Sequence, residues 1–212
     1  NTFLSPVGQN PLELGADVVL HSTTKYINGH SDVVGGVVIA KDAALAEELA
    51  WWGNCLGLTG SPFDSFQTMR GLRTLNVRFR EHEKNAAAVV EFLSGHPGVK
   101  KVYYPGLSDH PGHDIAARQQ KSFGAMISFE LEADNASMPK FLEPLRLFTL
   151  AESLGGVESL IAHPCTMTHA AMAEEDHRAA GLSEGLLRLS IGIENAEDLV
   201  SDLENGFSAL GF

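Results

Sequence analysis

One lysine, Lys25, follows an apolar run and three consecutive hydroxyl residues and is followed by a glycine. Residues 18–20 (VVL) predict a buried β-strand, and Gly29 lets the chain turn after the lysine. An amine at the end of a buried strand is desolvated, which lowers its pKa and favours the neutral form that attacks carbonyl carbons. The hydroxyls of residues 22–24 (STT) could hold an anion. The segment is therefore either a site for amine chemistry or an ordinary surface lysine beside a turn.

Arg188 lies inside an apolar run, residues 186–191 (LLRLSI), which predicts a buried strand. A guanidinium is costly to bury unless a carboxylate faces it, and its planar fork matches a carboxylate with two hydrogen bonds. Two interpretations remain open from the residues alone. Arg188 either pairs with an acidic residue such as Glu152 or Glu158, or it binds the carboxylate of a ligand.

A carboxylate and a hydroxyl, Glu152 and Ser153, stand just before two glycines at positions 155 and 156. This composition suits a loop whose backbone approaches a ligand, although a plain turn has the same composition. The histidine pairs His110 with His113 and His163 with His169 lack the helical spacing and the intervening glutamate of a zinc hydrolase. No metal site is predicted.

Charge and cysteine usage limit the class of protein. The chain has 212 residues, and its 27 acidic and 15 basic residues give a formal net charge of −12. That charge repels nucleic acid and anionic membrane surfaces, so neither is an expected partner. Cys55 and Cys165 lie far apart and form no C-x-x-C pattern, which favours a reducing cytoplasm. No apolar run is long enough to span a membrane.

Alternating strand and helix patterns predict an α/β protein with two parts. A long helical stretch is predicted for residues 64–93, and Gly71 is a candidate interruption of it. We place a domain boundary within this stretch, near residue 75. Strands interleaved with helices at uneven spacing after residue 75 predict an α+β layer. The predicted strands are 18–22, 33–40, 99–104, 125–131, 148–150, 158–162 and 187–191, and the other predicted helices are 42–55, 114–120, 137–145 and 196–210.

The stretch 14–36 as a whole resembles the cofactor-lysine segment of the pyridoxal-phosphate enzymes of cysteine and methionine metabolism, the family of cystathionine γ-synthase. Further motifs follow in the family's order along essentially the whole chain. These motifs are residues 1–6 (NTFLSP), 71–75 (GLRTL), 150–160 (LAESLGGVESL), 166–169 (TMTH) and 187–194 (LRLSIGIE).

The resemblance implies a fold and a set of roles. It implies the aspartate-aminotransferase-like fold type I, with residues 1–75 ending the large cofactor-binding domain and its mixed, mostly parallel sheet, and residues 76–212 forming the smaller α+β domain. In the family the lysine matching Lys25 carries pyridoxal phosphate covalently and then moves protons. Hydroxyls matching Ser22 and Thr24 bind the cofactor's phosphate. The matching arginine, Arg188, binds the substrate's α-carboxylate, and Ser153 and Glu152 are carried over as residues that position the substrate.

Within the family, residues 50–54, 116–121 and 166–170 look closest to the bacterial γ-synthases. The resemblance therefore implies γ-replacement, in which O-succinylhomoserine and cysteine form cystathionine for methionine biosynthesis. Cystathionine γ-lyase, methionine γ-lyase and O-acetylhomoserine sulfhydrylase share nearly every catalytic group and stay open. Family members are usually homotetramers whose sites are built between subunits.

The sequence begins where members of the family are in the middle of their large domain. In the family an aspartate directly before the residues matching Asn1 and Thr2 pairs with the pyridinium nitrogen of the cofactor. We therefore expect an N-terminal part of the same protein to supply that aspartate, the aromatic residue that stacks on the cofactor and an arm that reaches a neighbouring subunit. The alternative from another class is a catalytically inactive C-terminal fragment.

Overall fold

A computed structural model of the chain describes residues 1–133, 135–167, 172 and 174–212. Two sheets and seven α-helices make up these parts of the chain. The strands are β1 (Val18–Ser22), β2 (Gly36–Ala40), β3 (Val99–Tyr103), β4 (Met126–Leu131), β5 (Thr149–Leu150), β6 (Leu160–Ala162) and β7 (Leu186–Ser190). The helices are α1 (Ser5–Gly8), α2 (Ala43–Cys55), α3 (Pro62–Gly95), α4 (His113–Gln119), α5 (Met138–Leu142), α6 (Glu174–Ala179) and α7 (Ala196–Leu210).

The first sheet is an antiparallel pair, β1 with β2, in which Val18 faces Ala40 and Ser22 faces Gly36. Between these strands lies a π-helical turn, Thr23–Ile27, which contains the lysine. Most apolar side chains of the pair are exposed, among them Leu20 at 63% and Val38 at 48%. Since an isolated two-stranded sheet is marginally stable in water, this pair depends on neighbouring structure.

The second sheet has five strands in the order β3-β4-β7-β6-β5, all neighbours antiparallel except β5 and β6. Helix α7 packs on it through Leu199, Leu203 and Phe207, which are fully buried at four-residue spacing. The helix begins with an Asn195 side chain that accepts a hydrogen bond from Glu197 N and ends at Gly211 in the left-handed conformation. This sheet and helix form the main core.

Helix α3 runs unbroken for 34 residues and contacts both parts of the fold. Its middle buries Leu75 and Phe79 against Tyr26 of the lysine-bearing turn, and its C-terminal third packs on the main core. Gly71 makes the first contact possible, because a Cβ there would overlap the carbonyl oxygen of Asn28. The helix therefore lies backbone to backbone against the segment that follows the lysine.

The predicted α/β class is confirmed, and most elements agree with their predicted ranges within a few residues. Strand β1 and helix α7 match residue for residue, while the predicted strand 33–40 begins later, at Gly36. The candidate interruption at Gly71 was wrong, since the glycine serves a close helix contact instead. Sequence reasoning also missed α1, α6 and the π-helical turn. A domain boundary near residue 75 would fall inside α3 and stays a prediction.

Within the described ranges, no helix is both long and apolar enough to cross a bilayer. Large apolar side chains of α2 are exposed, with Leu49 at 37%, Trp51 at 58% and Trp52 at 48%. The two tryptophan rings contact each other edge to face.

We expect Phe207→Ala to lower the free energy of unfolding by about 3–5 kcal/mol, because it removes a fully buried ring from the centre of an aromatic cluster with Phe129 and Phe141. Urea unfolding followed by circular dichroism measures this loss. Phe212→Ala, at a residue that is 43% exposed, is the matched control and should cost under about 1 kcal/mol. Equal losses in both variants would contradict the placement of the core.

Candidate active site

Lys25 sits in a tight turn directly after strand β1. The turn is closed by hydrogen bonds from Asn28 N to Thr23 O at 2.9 Å and from Gly29 N to Lys25 O at 2.7 Å. Lys25 itself departs from helical geometry, with φ −90° and ψ −132°. Such sparsely populated backbone geometry persists only where surrounding contacts impose it. The turn thus presents the lysine in one particular direction.

Ser153 connects the lysine to the predicted arginine. The Lys25 Nζ atom donates a hydrogen bond to Ser153 Oγ at 2.6 Å, and Arg188 Nη2 donates to Ser153 O at 3.1 Å. Ser153 has a positive φ of 83°, which is uncommon for a residue other than glycine. Three residues predicted from distant parts of the sequence therefore meet at one point, the loop between β5 and β6.

Neighbouring charges shift the pKa of the Lys25 amine in opposite directions. Burial lowers the pKa of Lys25, the positive charge of Arg188 lowers it further, and Glu152 raises it. Burial also lowers the pKa of Arg188, and Glu152 again acts in the opposite direction. Glu152 is exposed and near enough to influence both cations. The predicted group of Lys25, Ser153, Arg188 and Glu152 is brought together.

An internal ion pair was the other interpretation of Arg188. The ion pairs found in the described ranges do not include Arg188 with Glu152 or Glu158. Glu158 instead accepts a hydrogen bond from the Ser31 hydroxyl. The guanidinium therefore keeps donors that a carboxylate ligand could use.

Ser22 and Thr24, the predicted anion-binding hydroxyls, lie on either side of the start of the turn and are half-buried. The Thr24 hydroxyl donates to Gly35 O at 3.3 Å and accepts from Gly35 N at 3.0 Å. Ser22 is held through its main chain, whose N–H donates to Thr2 Oγ1 at 3.0 Å. These contacts hold the end of β1, and they join the start of the lysine-bearing turn to the residue just before β2.

Sequence reasoning missed a row of polar side chains on helix α3. Arg78 Nη2 donates to Tyr26 O at 3.0 Å, His82 Nδ1 contacts Ile191 O at 2.7 Å, and Asn85 Nδ2 donates to the carbonyls of residues 192 and 194 at 3.1 and 2.7 Å. All three side chains are buried. Their four- and three-residue spacing, in the middle of an otherwise apolar helix face, was the available signal.

In the part of the chain that the structure describes, no group of three or more histidine, cysteine or acidic side chains comes together in a way that could hold a metal ion. His110 and His113 bind main-chain groups of their own loop, since Gly112 N donates to His110 Nδ1 and His113 Nδ1 contacts Pro105 O. His163 contacts Thr166 and Glu184 O. Its predicted companion, His169, lies outside the described residues, as do residues 168 and 170 of the motif 166–170.

Comparison with known proteins identifies the class to which this fold and site belong. The family model described as Cys/Met metabolism PLP-dependent enzyme matches residues 1–208. The chain therefore belongs to this family of pyridoxal-phosphate enzymes, as the sequence motifs predicted. Pyridoxal phosphate is the cofactor of the family.

Individual relatives include more than one activity. Cystathionine gamma-synthase of Escherichia coli (strain K12) is 64% identical over 209 residues, which are 99% of this chain and 54% of that protein. Cystathionine beta-lyase of Coxiella burnetii is 53% identical over 205 residues, 96% of this chain and 53% of the relative. The chain thus spans about half the length of the curated relatives it matches.

A solved structure of a related protein has the same fold over the whole chain. Cystathionine gamma synthase from Xanthomonas oryzae pv. oryzae, in complex with aminoacrylate and cysteine, superposes with a TM-score of 0.96 at 67% identity. The match covers 100% of this chain and 55% of that protein. The fold type I assignment is therefore confirmed.

Residues around Lys25 fit pyridoxal phosphate on chemical grounds. An aldehyde needs an amine with a lowered pKa, and Lys25 has one. A phosphate needs short donors, and Ser22 and Thr24 stand beside the lysine in the sequence. The Arg188 guanidinium, which donates to Ser153 O, has the geometry to bind a carboxylate as well.

Opposing variants test the electrostatics of the amine. We expect Arg188→Gln to raise the pKa of Lys25, because a neighbouring positive charge is lost, and Glu152→Gln to lower it, because a negative charge is lost. The pH dependence of Lys25 acetylation in the cofactor-free complete protein, followed by peptide mass spectrometry, measures both shifts. Lys41, which is exposed, serves as the internal control. Shifts of the same sign in the two variants would contradict this arrangement.

Burial lowers the pKa of His82 to about 4, so the folded chain binds this proton more weakly than the unfolded chain does. The neutral histidine therefore stabilises the fold above about pH 6.5, and this stabilisation is lost as the pH falls from there towards 4. At pH 5 the loss should reach about 2 kcal/mol relative to pH 7.5.

Urea unfolding of the 212-residue chain at the two pH values measures the loss at His82. His82→Asn should show a smaller loss on acidification than the unsubstituted chain. The control His110→Asn, at a half-buried loop histidine, should keep the full loss. An unchanged acid sensitivity in His82→Asn would show that other groups cause it.

Proposed function

We propose that the protein containing this chain is a pyridoxal-phosphate enzyme that forms cystathionine by γ-replacement, from O-succinylhomoserine and cysteine. The observation that carries the proposal is the meeting of the Lys25 amine and the Arg188 guanidinium on Ser153. An amine and a guanidinium that both donate to the same residue suit an α-amino acid, whose reacting Cα–H bond lies next to its carboxylate. The identities to two γ-synthases, 64% and 67%, support the choice within the family.

In this proposal Lys25 has two tasks. It would hold the cofactor, and its amine, when free, would move protons between substrate carbon atoms. When bound, pyridoxal phosphate withdraws electrons from the substrate and so makes those protons acidic. The lowered pKa of Lys25 supports the role, because a general base must be neutral near the working pH.

Arg188 and Ser153 orient the substrate. Arg188 fixes the α-carboxylate with its fork, while the Ser153 hydroxyl holds the lysine amine on the side where the α-proton lies. Glu152, which is exposed and acts electrostatically on both cations, limits the positive charge that collects there before the substrate arrives.

Ser22 and Thr24 are the proposed phosphate ligands. The Thr24 hydroxyl now donates its single proton to Gly35 O, so binding a phosphate oxygen requires this proton to rotate towards the ligand. Gly35 N remains hydrogen-bonded to the same hydroxyl and keeps the oxygen in place.

The proposed partners of the chain rest on its exposed surface, on its length and on the family resemblance. The chain spans 54% of one relative and 55% of another, and most apolar side chains of β1 and β2 are exposed. We infer that a further part of the same protein covers this sheet and supplies the aspartate, and that the assembly is a homotetramer. Its partners are small amino-acid substrates, and its location is cytoplasmic, as the two unpaired cysteines suggest.

A lyase is the alternative within the family. The 53% identity to a cystathionine beta-lyase, over 96% of this chain, favours keeping it. Cystathionine γ-lyase, methionine γ-lyase and O-acetylhomoserine sulfhydrylase activities belong to the same set of alternatives. These reactions differ in which bond to the substrate breaks and in which thiol enters.

The complete protein, supplied with O-succinylhomoserine and cysteine, should form cystathionine, detected by mass spectrometry. Lys25→Ala should reduce kcat by about 10³-fold or more, because the proton carrier is lost. Lys41→Ala, at the exposed residue after β2, should leave kcat unchanged. A protein that only breaks cystathionine down would be a lyase, with release of cysteine indicating γ-cleavage and release of homocysteine indicating β-cleavage.

The inactive-fragment alternative has a separate test on the 212-residue chain. Incubation with pyridoxal phosphate and reduction with borohydride would add the cofactor's mass to the peptide that contains Lys25. Labelling together with turnover would exclude an inactive fragment, whereas no labelling would support it.

A further inference from the structure

Arg78 is a buried cation whose partners are main-chain carbonyls. None of the ion pairs in the described ranges includes it, and its Nη2 atom donates to Tyr26 O at 3.0 Å, Gly71 O at 2.9 Å and Ile27 O at 3.4 Å. A buried charge is stabilised when polar groups replace the lost water, as these carbonyls do for Nη2, while Nη1 has no hydrogen-bond partner in the described ranges. Two of these three carbonyls belong to the residues directly after Lys25. Arg78 therefore binds the backbone of the lysine-bearing turn.

The turn is shaped to receive this guanidinium. Gly29 has a positive φ of 75°, and a Cβ at this position would overlap the Arg78 guanidinium. On the other side, Arg78 Nε donates to Thr74 Oγ1 at 3.1 Å, which fixes the plane of the fork. The guanidinium is thus held between helix α3 and the turn. Its contact with carbonyls at the C-terminal end of a helical turn is electrostatically favourable.

The same face of α3 holds the segment that follows strand β7. His82 Nδ1 contacts Ile191 O at 2.7 Å, and Asn85 Nδ2 donates to the carbonyls of Gly192 and Glu194. Ile191 directly follows β7, the strand that carries Arg188. One rigid helix is therefore bonded to the backbone beside the lysine and to the backbone beside the arginine.

We propose that Arg78, His82 and Asn85 are positioning residues that set the distance between the Lys25 amine and the Arg188 guanidinium. The inference rests on the roles proposed above for those two groups. None of the three side chains hydrogen-bonds to Lys25, Ser153 or Arg188 in the described ranges, so each acts through main-chain carbonyls. Loosening the Arg78 end frees the turn, and the amine then leaves its partly desolvated position beside Arg188.

The test uses four variants of the complete protein. Arg78→Lys keeps the charge and loses the fork, and Thr74→Val removes the hydroxyl that orients the fork. Thr74→Ser keeps that hydroxyl and should therefore retain the properties that Thr74→Val loses. Arg80→Lys is the matched control, because Arg80 is an exposed arginine on the same helix.

Two readouts separate positioning from folding. In Arg78→Lys the pH midpoint of Lys25 acetylation, measured in the cofactor-free protein, should move towards that of an ordinary lysine. In the holoenzyme kcat should fall about 10- to 100-fold while KM changes less than about threefold, since misplacement of a reacting group affects the chemical step. Thr74→Val should show smaller shifts in the same directions, and Thr74→Ser and Arg80→Lys should match the unsubstituted protein.

Asn85→Ser tests the other end of the row. It shortens the side chain that holds the segment after β7, so KM for the amino-acid substrate should rise about tenfold. Because the Arg188 charge acts on Lys25, the pH midpoint of Lys25 acetylation should also rise, but by less than in Arg78→Lys. Unchanged KM in Asn85→Ser would overturn the role of Asn85 in the row.

Unchanged acetylation and kinetics in Arg78→Lys and Thr74→Val would overturn the inference. If Arg78→Lys does not fold, the result for Thr74→Val against Thr74→Ser decides alone. Acetylation of Lys25 requires no substrate, so this readout is independent of the reaction. Failure to form cystathionine would overturn the proposed function and leave the positioning test intact.

Discussion

The close contact between helix α3 and the turn that bears Lys25 is the constraint on which the site depends. Gly71 brings the helix backbone against Asn28, and the Arg78 guanidinium occupies the space beside Gly29. Side chains on both surfaces would force the two segments apart. Because the turn follows directly from β1, this contact fixes the direction in which the lysine leaves the strand. The unusual backbone angles of Lys25 are maintained by this packing.

Two cations and one carboxylate surround Ser153. Lys25 and Arg188 both donate hydrogen bonds to it, and the negative charge of the exposed Glu152 partly offsets their positive charges. The group has more hydrogen-bond donors than acceptors, which suits ligands with negative groups, such as carboxylates and phosphates. An amine in such surroundings favours its neutral form more than an isolated lysine would. The arrangement thus suits both tight binding of an anionic substrate and proton transfer.

Sequence patterns identified the candidate site residues better than the buried residues of α3 that hold the backbone around them. The lysine between an apolar run and a glycine, and the arginine inside an apolar run, were candidates from the residues alone, and only the family resemblance gave them expected roles. Arg78 and His82 carried less, because a buried polar row looks like an exposed helix face until the packing is known. Gly71 was misread for the same reason, since helix interruption and close helix contact both favour glycine. Contacts between residues far apart in sequence decide these cases.

Helix α3 has 34 residues, so at 1.5 Å per residue it is about 50 Å long. Its first turns expose Phe63, Phe66 and Met69, while its middle is bonded to the lysine turn. Because consecutive turns of a helix are hydrogen-bonded to one another, a displacement of the exposed end is passed on to the middle of α3. A surface that covers the exposed end would therefore alter the direction in which the amine leaves the lysine-bearing turn, without contacting Lys25.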